Sequence, residues 1–222
     1  MTKKVVLGLK KIATVTAVAI AATGAGFWAV KSGKLILQLP YYEVARVIDG
    51  DTFVTKENQY IRLASINAPE LGYCGADEAK LAMEKLVLGK KLYLKVVYRD
   101  RYNRLDAFVY TPKEFVNLAI LESGWTYYHR KGKNEPGELL KADQKAREDK
   151  VGIFSGKCTQ EVNPTNPKCV IKGNIQKGNK YFRYPGCRVY NLTIVQLYLG
   201  EKWYCTEKEA MRDGFTKGPD CN

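Results

Sequence analysis

The stretch Val47-Ile48-Asp49-Gly50-Asp51-Thr52 runs from a β-branched segment into a turn bearing two carboxylates. Further on, Ile61-Arg62-Leu63-Ala64-Ser65-Ile66-Asn67-Ala68-Pro69-Glu70 sets an arginine in a strand-like run and ends on a hard oxygen ligand, a stiff proline and a carboxylate. A third stretch, Asp100-Arg101-Tyr102-Asn103-Arg104, offers two guanidiniums beside a phenol. Together these side chains meet the needs of phosphodiester hydrolysis. Oxygen ligands hold a divalent cation that neutralises phosphate and acidifies a nearby water. A carboxylate takes the proton of that water. Arginines grip the equatorial phosphate oxygens and stabilise the more highly charged transition state. Each piece alone has a plainer meaning: Asp-Gly-Asp is a common hairpin turn, and isolated arginines are usually solvated surface charges. Their order and spacing together carry the chemistry.

The elements that must position these residues follow from pattern. Tyr42–Ile48, Thr52–Thr55 and Tyr60–Ser65 are rich in β-branched and aromatic residues, with turns at Asp49-Gly50-Asp51 and Glu57-Asn58. Asp77–Leu88 places Ala79, Ala82, Met83, Leu86 and Val87 on one helical face, with Gly89 after it as a stop. Leu92–Tyr98 and Ala107–Tyr110 read as strands around the Asp100–Arg104 loop. Phe115–Ser123 and Gly137–Lys150 read as two further helices. Five strands with a helix between the third and fourth point to an α+β domain, mainly β: a small closed barrel of OB type with three helices.

The chain has 222 residues, 45% hydrophobic and 27% charged, room for one sizeable core and a small second module. That balance excludes a disordered tail and a polytopic membrane protein, and no period recurs to suggest a repeat architecture. A single histidine, His129, excludes a His-rich metal centre; its neighbours Arg130 and Lys131 suggest a surface position. The net charge of +13 is uneven, since residues 1–34 hold Lys3, Lys4, Lys10, Lys11, Lys31 and Lys34 and no acid. A basic body suits a polyanion but does not by itself identify one.

Between those lysines, Ile12 to Val30 is a run of 19 uncharged residues. As a helix it would be about 28 Å long, close to a bilayer core of ~30 Å. Residues 1–34 therefore read as a signal peptide or an uncleaved membrane anchor with its N-terminus toward the cytoplasm. Either places the body outside the cytoplasm, where the six cysteines can form disulfides. Asn163-Pro164-Thr165-Asn166-Pro167 marks a linker, at 163–168, between a domain at 41–160 and a small module at 169–222. That module carries Cys169, Cys187, Cys205 and Cys221 with no C-x-x-C pair and no histidine, so disulfide staples are expected rather than zinc.

From about Tyr42 to Phe154 the chain resembles the staphylococcal nuclease family. The matching pieces are Val47–Thr52, Arg62-Leu63, Ala68-Pro69-Glu70, Asp100–Arg104, Val116-Asn117 leading to Gly124, and Gly152-Ile153-Phe154. The resemblance implies a five-stranded OB barrel with three helices and a calcium-dependent endonuclease acting on DNA and RNA, leaving 3′-phosphate ends. By position it implies Asp51, Asn67 and the Ala68 carbonyl as calcium ligands, Glu70 as general base, and Arg62 and Arg104 as phosphate-binding arginines. It also implies Tyr102 and one of Tyr127 or Tyr128 beside the bound nucleotide. Two departures stand out: Asn67 replaces the usual aspartate, and Asn103 replaces the usual glycine before Arg104, a position asparagine can take at positive φ.

In this fold Cys74 and Cys158 flank elements that pack on the barrel, which implies a bridge between them. The remaining four cysteines are expected to pair among themselves, Cys187 with Cys205. Residues 169–222 resemble small cysteine-containing modules appended to bacterial nuclease-like domains, through Ile171–Asn174, Tyr184–Gly186 and Trp203–Glu207. The expected partners are nucleic acid and, through residues 12–30, a membrane; a monomer with no protein partner is expected. Two other readings stay open: a nucleic-acid-binding OB module whose catalysis has decayed, and a surface interaction protein centred on residues 169–222.

Overall fold

The computed structural model describes residues 40–130, 132 and 135–221. The expected apolar helix at residues 12–30 lies outside these. No helix among the described residues is long and apolar enough to cross a membrane.

Strands β1 (Val44–Val47), β2 (Thr52–Thr55) and β3 (Tyr60–Leu63) form an antiparallel meander. The chain then makes the short β4 (Ile66–Asn67) and helix α1 (Ala76–Val87), followed by β5 (Tyr93–Arg99) and β6 (Leu105–Tyr110). Strand β6 pairs with β5 antiparallel and with β3 parallel, giving a five-stranded sheet in the order β1-β2-β3-β6-β5. The expected closed barrel is corrected here to an open, five-stranded ladder. Its edges share one bridge, Tyr42 to Leu92, with both backbone bonds at 2.9 Å. Strand β1 is four residues long and bulged between Val44 and Arg46, whereas β5 runs for seven with Lys95–Arg99 exposed. The two edges are too unequal to zip along their length.

Helices α1, α2 (Val116–Glu122) and α3 (Gly137–Glu148) cover the sheet. In α1 the buried residues Ala76, Ala79, Met83 and Val87 recur at helical spacing, with Asp77 and Glu78 in the first turn where the helix dipole favours acids. Met83 and Val87 join Phe53, Ile61, Leu63, Ile66, Val109, Ile120 and Leu139 in the main core. Helix α2 is pinned by Asn117, fully buried: its Oδ1 accepts the Val109 N–H at 2.9 Å and its Nδ2 donates to the Ala64 carbonyl at 2.9 Å. A two-residue strand, β7 (Tyr127–Tyr128), pairs with β4.

After a 3-10 turn at Gly152–Phe154 come β8 (Thr159–Gln160) and then a second sheet. Its strands are β9 (Ile171–Gln176), β10 (Asn179–Arg183), β12 (Lys202–Tyr204) and β13 (Thr216–Lys217), in the order β12-β9-β10-β13. Between them lie β11 (Val195–Gln196), which pairs with β8, and a 3-10 turn at Leu197–Leu199. A fourth helix, α4 (Glu207–Arg212), adds to the three expected; a reciprocal capping box between Thr206 and Glu209 starts it.

Three disulfides are present. Cys74 is bonded to Cys158, Cys169 to Cys205 and Cys187 to Cys221. The expected pairing of Cys187 with Cys205 is therefore corrected. Strands β9 and β12 place Ile171 opposite Tyr204, so Cys169 and Cys205 meet at the end of that ladder. Cys187 instead meets Cys221, next to which Arg188 N–H donates to the Asp220 carbonyl at 3.1 Å.

Candidate active site

The turn between β1 and β2 is shaped by close packing. A β-carbon on Gly50 would fall 2.5 Å from that of Ala79 in α1 and 2.8 Å from that of Ala68. Only glycine lets the helix and the Ala68 segment press on the backbone between the two aspartates. Asp51 is buried, and both its oxygens are engaged. Oδ1 accepts the Thr52 hydroxyl at 2.7 Å and faces Arg62 Nη1 at 2.7 Å; Oδ2 accepts the Ala68 N–H at 3.0 Å. Asp49 Oδ1 accepts the Asp51 N–H at 2.9 Å. Burial first, and the adjacent Asp51 charge second, push the Asp49 carboxyl up to about 6.

Arg62 projects from β3 between its strand partners Thr52 and Asp106. Nη1 also donates to the Ile66 carbonyl at 3.1 Å, and Nη2 to Asn67 Oδ1 at 2.5 Å. Ser65, at φ 63°, turns the chain from β3 into β4 and so brings Asn67 back over Arg62. The Asn67 amide Nδ2 reaches the Tyr127 hydroxyl at 3.5 Å, across the β4–β7 pairing. Burial raises the Tyr127 phenol, against the pull of the Asn67 hydrogen bond and the Arg62 charge and with the help of the Asp51 and Glu70 charges. Glu70 follows the buried Pro69 and is exposed.

The Asp100–Arg104 loop joins β5 to β6. Asp100 organises it: Oδ1 accepts the N–H groups of Tyr102 and Arg104, both at 2.9 Å, and Oδ2 accepts Arg104 Nε at 2.8 Å. Burial works against the Asp100 charge, but these bonds hold its carboxyl below the usual range. Asn103 takes the left-handed conformation, φ 63°. The guanidinium carbons of Arg101 and Arg104 lie 4.9 and 5.4 Å from the centre of the Tyr102 ring. Leu105 pairs with Ile61, which sets Arg104 beside the strand that carries Arg62.

Asp51, Arg62, Asn67, Ala68 and Tyr127 thus form one hydrogen-bonded chain, with Glu70 in electrical reach of Tyr127. Tyr102 and Arg104 form a second group. Tyr128 turns the other way: its N–H donates to Asp143 Oδ1 at 2.9 Å and its hydroxyl to the Glu135 carboxylate. Burial and Glu135 push its phenol up to about 12. His129 is exposed, its N–H bonded to the Ser65 carbonyl at 2.9 Å. No motif singles out Asp100, although an aspartate bonding the amide two residues on is the mark of such a turn. Among the described residues no three His, Cys, Asp or Glu side chains gather as a metal cage. The hard oxygens gathered here are the Asp49 and Asp51 carboxylates and Asn67 Oδ1, which shares the Arg62 guanidinium with Asp51.

Comparison with known proteins gives this arrangement a family. The family model for the staphylococcal nuclease homologue matches residues 60–156, which include Arg62, Asn67, Glu70, Arg104 and Tyr127. An "uncharacterized endonuclease" of Haemophilus influenzae is 31% identical over 128 residues, covering 56% of this chain and 68% of that protein. A micrococcal nuclease of Shigella flexneri is 27% identical over 146 residues, covering 57% of this chain and 83% of its own length. Protein ParB of Escherichia coli is 31% identical over 126 residues, covering 51% and 71% respectively. On these matches the chain belongs to the staphylococcal nuclease family and is a hydrolase of nuclease type.

Proposed function

We propose that residues 41–160 form a calcium-dependent endonuclease of DNA and RNA, built on a curled sheet of OB type. The observation that carries this reading is the Arg62 guanidinium held at once by Asp51, Ile66 and Asn67, with Glu70 on the segment that follows Asn67. An arginine fixed on three oxygens keeps its orientation while a phosphate approaches, which makes it a preorganised charge stabiliser.

The donor set around Asp51 fits a hard divalent cation. Half-buried Asp49 and buried Asp51 repel, one cause of the raised Asp49 carboxyl after its own burial, and extra positive charge relieves that repulsion. Asp51, Asn67 and the Ala68 carbonyl would hold calcium. Bound there, calcium supplies charge neutralisation for the phosphate and lowers the pKa of an attacking water. Glu70, exposed on the segment after Pro69, would accept a proton from an attacking water. Arg104 is anchored to Asp100 through Nε, which leaves its two Nη groups to fork a phosphate. Tyr102, 64% exposed beside Arg101 and Arg104, offers a face for a base or sugar.

Residues 1–34 are the export segment or anchor in this reading, and the body works outside the cytoplasm. Three disulfides support that placement, since such bonds persist in oxidising compartments. Digestion of linear DNA and of RNA, with calcium and with chelator, tests the proposal. Cleavage of both, abolished by chelator and by Glu70→Gln, is expected. Binding without cleavage would replace it with the decayed nucleic-acid-binding reading.

A further inference from the structure

The C-terminal segment, which the family model does not reach, touches the candidate site on two sides. Tyr198, in the 3-10 turn Leu197–Leu199, is 3% exposed. Its ring centre lies 5.7 Å from that of Tyr127 and 5.8 Å from that of Phe154. Its hydroxyl donates to Gln196 Oε1 at 2.6 Å. Tyr127, in turn, is the strand partner of Asn67 and meets its amide. On the other side, Gly200 takes a left-handed φ of 81°, and a β-carbon there would come within 2.6 Å of the Tyr73 ring. Tyr73 closes the turn after Glu70, its N–H donating to the Glu70 carbonyl at 2.9 Å.

These contacts close a circuit. From Glu70 the chain runs to Tyr73 and Cys74; the disulfide crosses to Cys158; the Cys158 carbonyl accepts the Leu197 N–H at 2.8 Å. Tyr198 follows and packs on Tyr127, which leads through Asn67 back to the segment that carries Glu70. Strands β8 and β11 and the bond from Trp203 Nε1 to Gln160 Oε1, 2.8 Å, hold the circuit to the second sheet. A surface attachment would need none of this; a brace needs all of it.

We propose that the C-terminal module is part of the active-site scaffold, with Tyr198 a positioning residue that packs on Tyr127, the partner of Asn67, while Gly200 lies against the ring of Tyr73 in the turn that follows Glu70. The proposal rests on the nuclease reading above for its effect on turnover, but not for its effect on structure. Replacing Tyr198 by alanine leaves a hole behind Tyr127, and a buried site that loses a ring relaxes only partly. Misplacement of catalytic groups by as little as ~1 Å costs up to about a hundredfold in rate.

The test uses the full chain and two readouts. In calcium-supported DNA cleavage, Tyr198→Ala is expected to lower kcat by between about tenfold and a hundredfold with little change in KM, and Tyr198→Phe to restore it. In a Tyr127→Ala background Tyr198→Ala should add nothing, because residues acting through one another are not additive. In amide hydrogen exchange, Tyr198→Ala should speed exchange in residues 66–74 and 126–128 while β2 and β9 keep wild-type rates. Additive effects on kcat, or unchanged exchange in both segments, would overturn the proposal. Uniformly faster exchange, in Tyr198→Ala and in the bulkier Tyr198→Leu alike, would reduce Tyr198 to a general core residue and overturn it too. If the wild-type chain does not cleave, the nuclease reading falls, and exchange alone decides the positioning role.

Discussion

The Arg62 guanidinium donates through Nη2 to Asn67 Oδ1 at 2.5 Å, so the amide that stands in an aspartate's usual place is already an arginine's partner. An amide oxygen can accept that bond and still ligate a cation, but it brings no charge to either. Asn67→Asp adds one negative charge, which Arg62 and, in the calcium reading, the cation would share. The expected outcome is a calcium half-saturation point for cleavage about tenfold lower, corresponding to ~1.4 kcal/mol. Titrating activity against calcium in both forms checks it. Identical half-saturation points would mean that position 67 does not ligate.

Glu70→Gln, Arg62→Ala and Arg104→Ala are each expected to cut kcat at least about a hundredfold, the usual cost of losing a general base or a charge-stabilising donor. Their stabilities should differ. Arg62→Ala leaves the Asp51 carboxylate, whose side chain is 10% exposed, without its counter-ion, so it should also lower the melting temperature. Arg104→Ala, which strips the Asp100 carboxylate, 13% exposed, of its counter-ion, should lower it as well, whereas Glu70→Gln, at an exposed position, should not. Turnover assays beside thermal melts separate the two effects; near-normal rates in all three variants would reject the site.

The strands of the five-stranded sheet and the helices on it are legible in the sequence because each is locally marked. β-branched runs end at Asp49-Gly50-Asp51 and at Asn58, which sits at φ 60°, and α1 shows its buried face at 3–4 residue spacing. Register is not so marked. Nothing local tells which of Tyr127 and Tyr128 faces Asn67; successive strand residues point to opposite faces, and only the pairing of Asn67 with Tyr127, 60 residues apart, decides it. The same holds for the four C-terminal cysteines, which allow three pairings until β9 and β12 fix Ile171 against Tyr204. Closure of the sheet depends on two edge strands of unequal length, a property of no single segment. Helix α4 is different: Thr206 and Glu209 spell a capping box, a start signal that the cysteine pattern overshadows.

Asn117→Leu should destabilise the chain by about 2–4 kcal/mol. The side chain is fully buried and serves the Val109 N–H and the Ala64 carbonyl; leucine would leave both groups dry and unpaired, at ~1–3 kcal/mol each. Denaturant unfolding measures the loss. An unchanged midpoint would mean that water replaces the amide.

Glu201 gives the C-terminal module a pH response. Burial raises its carboxyl above the ordinary range, against the pull of the Ile175 and Gln196 N–H groups, the Asn174 amide and the Arg183 charge. The folded state therefore binds this proton more tightly than the unfolded chain. Its contribution to stability is full below the ordinary glutamate pKa, ~4.3, and declines as pH rises through the folded value. Glu201→Gln should flatten that decline while lowering stability overall, because an amide nitrogen cannot accept the bonds that one carboxylate oxygen takes. Thermal melts from about pH 4 to 8 would show parallel curves if the group titrated normally.

The three disulfides should map as Cys74–Cys158, Cys169–Cys205 and Cys187–Cys221 in peptides digested without reduction. A peptide joining Cys187 to Cys205 would contradict the β9–β12 register as well as the bond. Their removal should not be equivalent. Cys74 and Cys158 are 84 residues apart, against 36 and 34 for the other pairs, and chain-entropy loss grows with the logarithm of the closed loop. On that account the long bridge contributes ~4.5 kcal/mol and each short one ~3.8 kcal/mol, a small difference. The larger contrast is local. Replacing Cys74 and Cys158 by serine frees the turn after Glu70, so kcat should fall along with stability. Replacing Cys187 and Cys221 loosens the far end of the second sheet and should lower stability while kcat at 25 °C stays near wild type. Equal losses of kcat in the two double variants would mean that stability alone, and not the anchoring of Glu70, sets the rate.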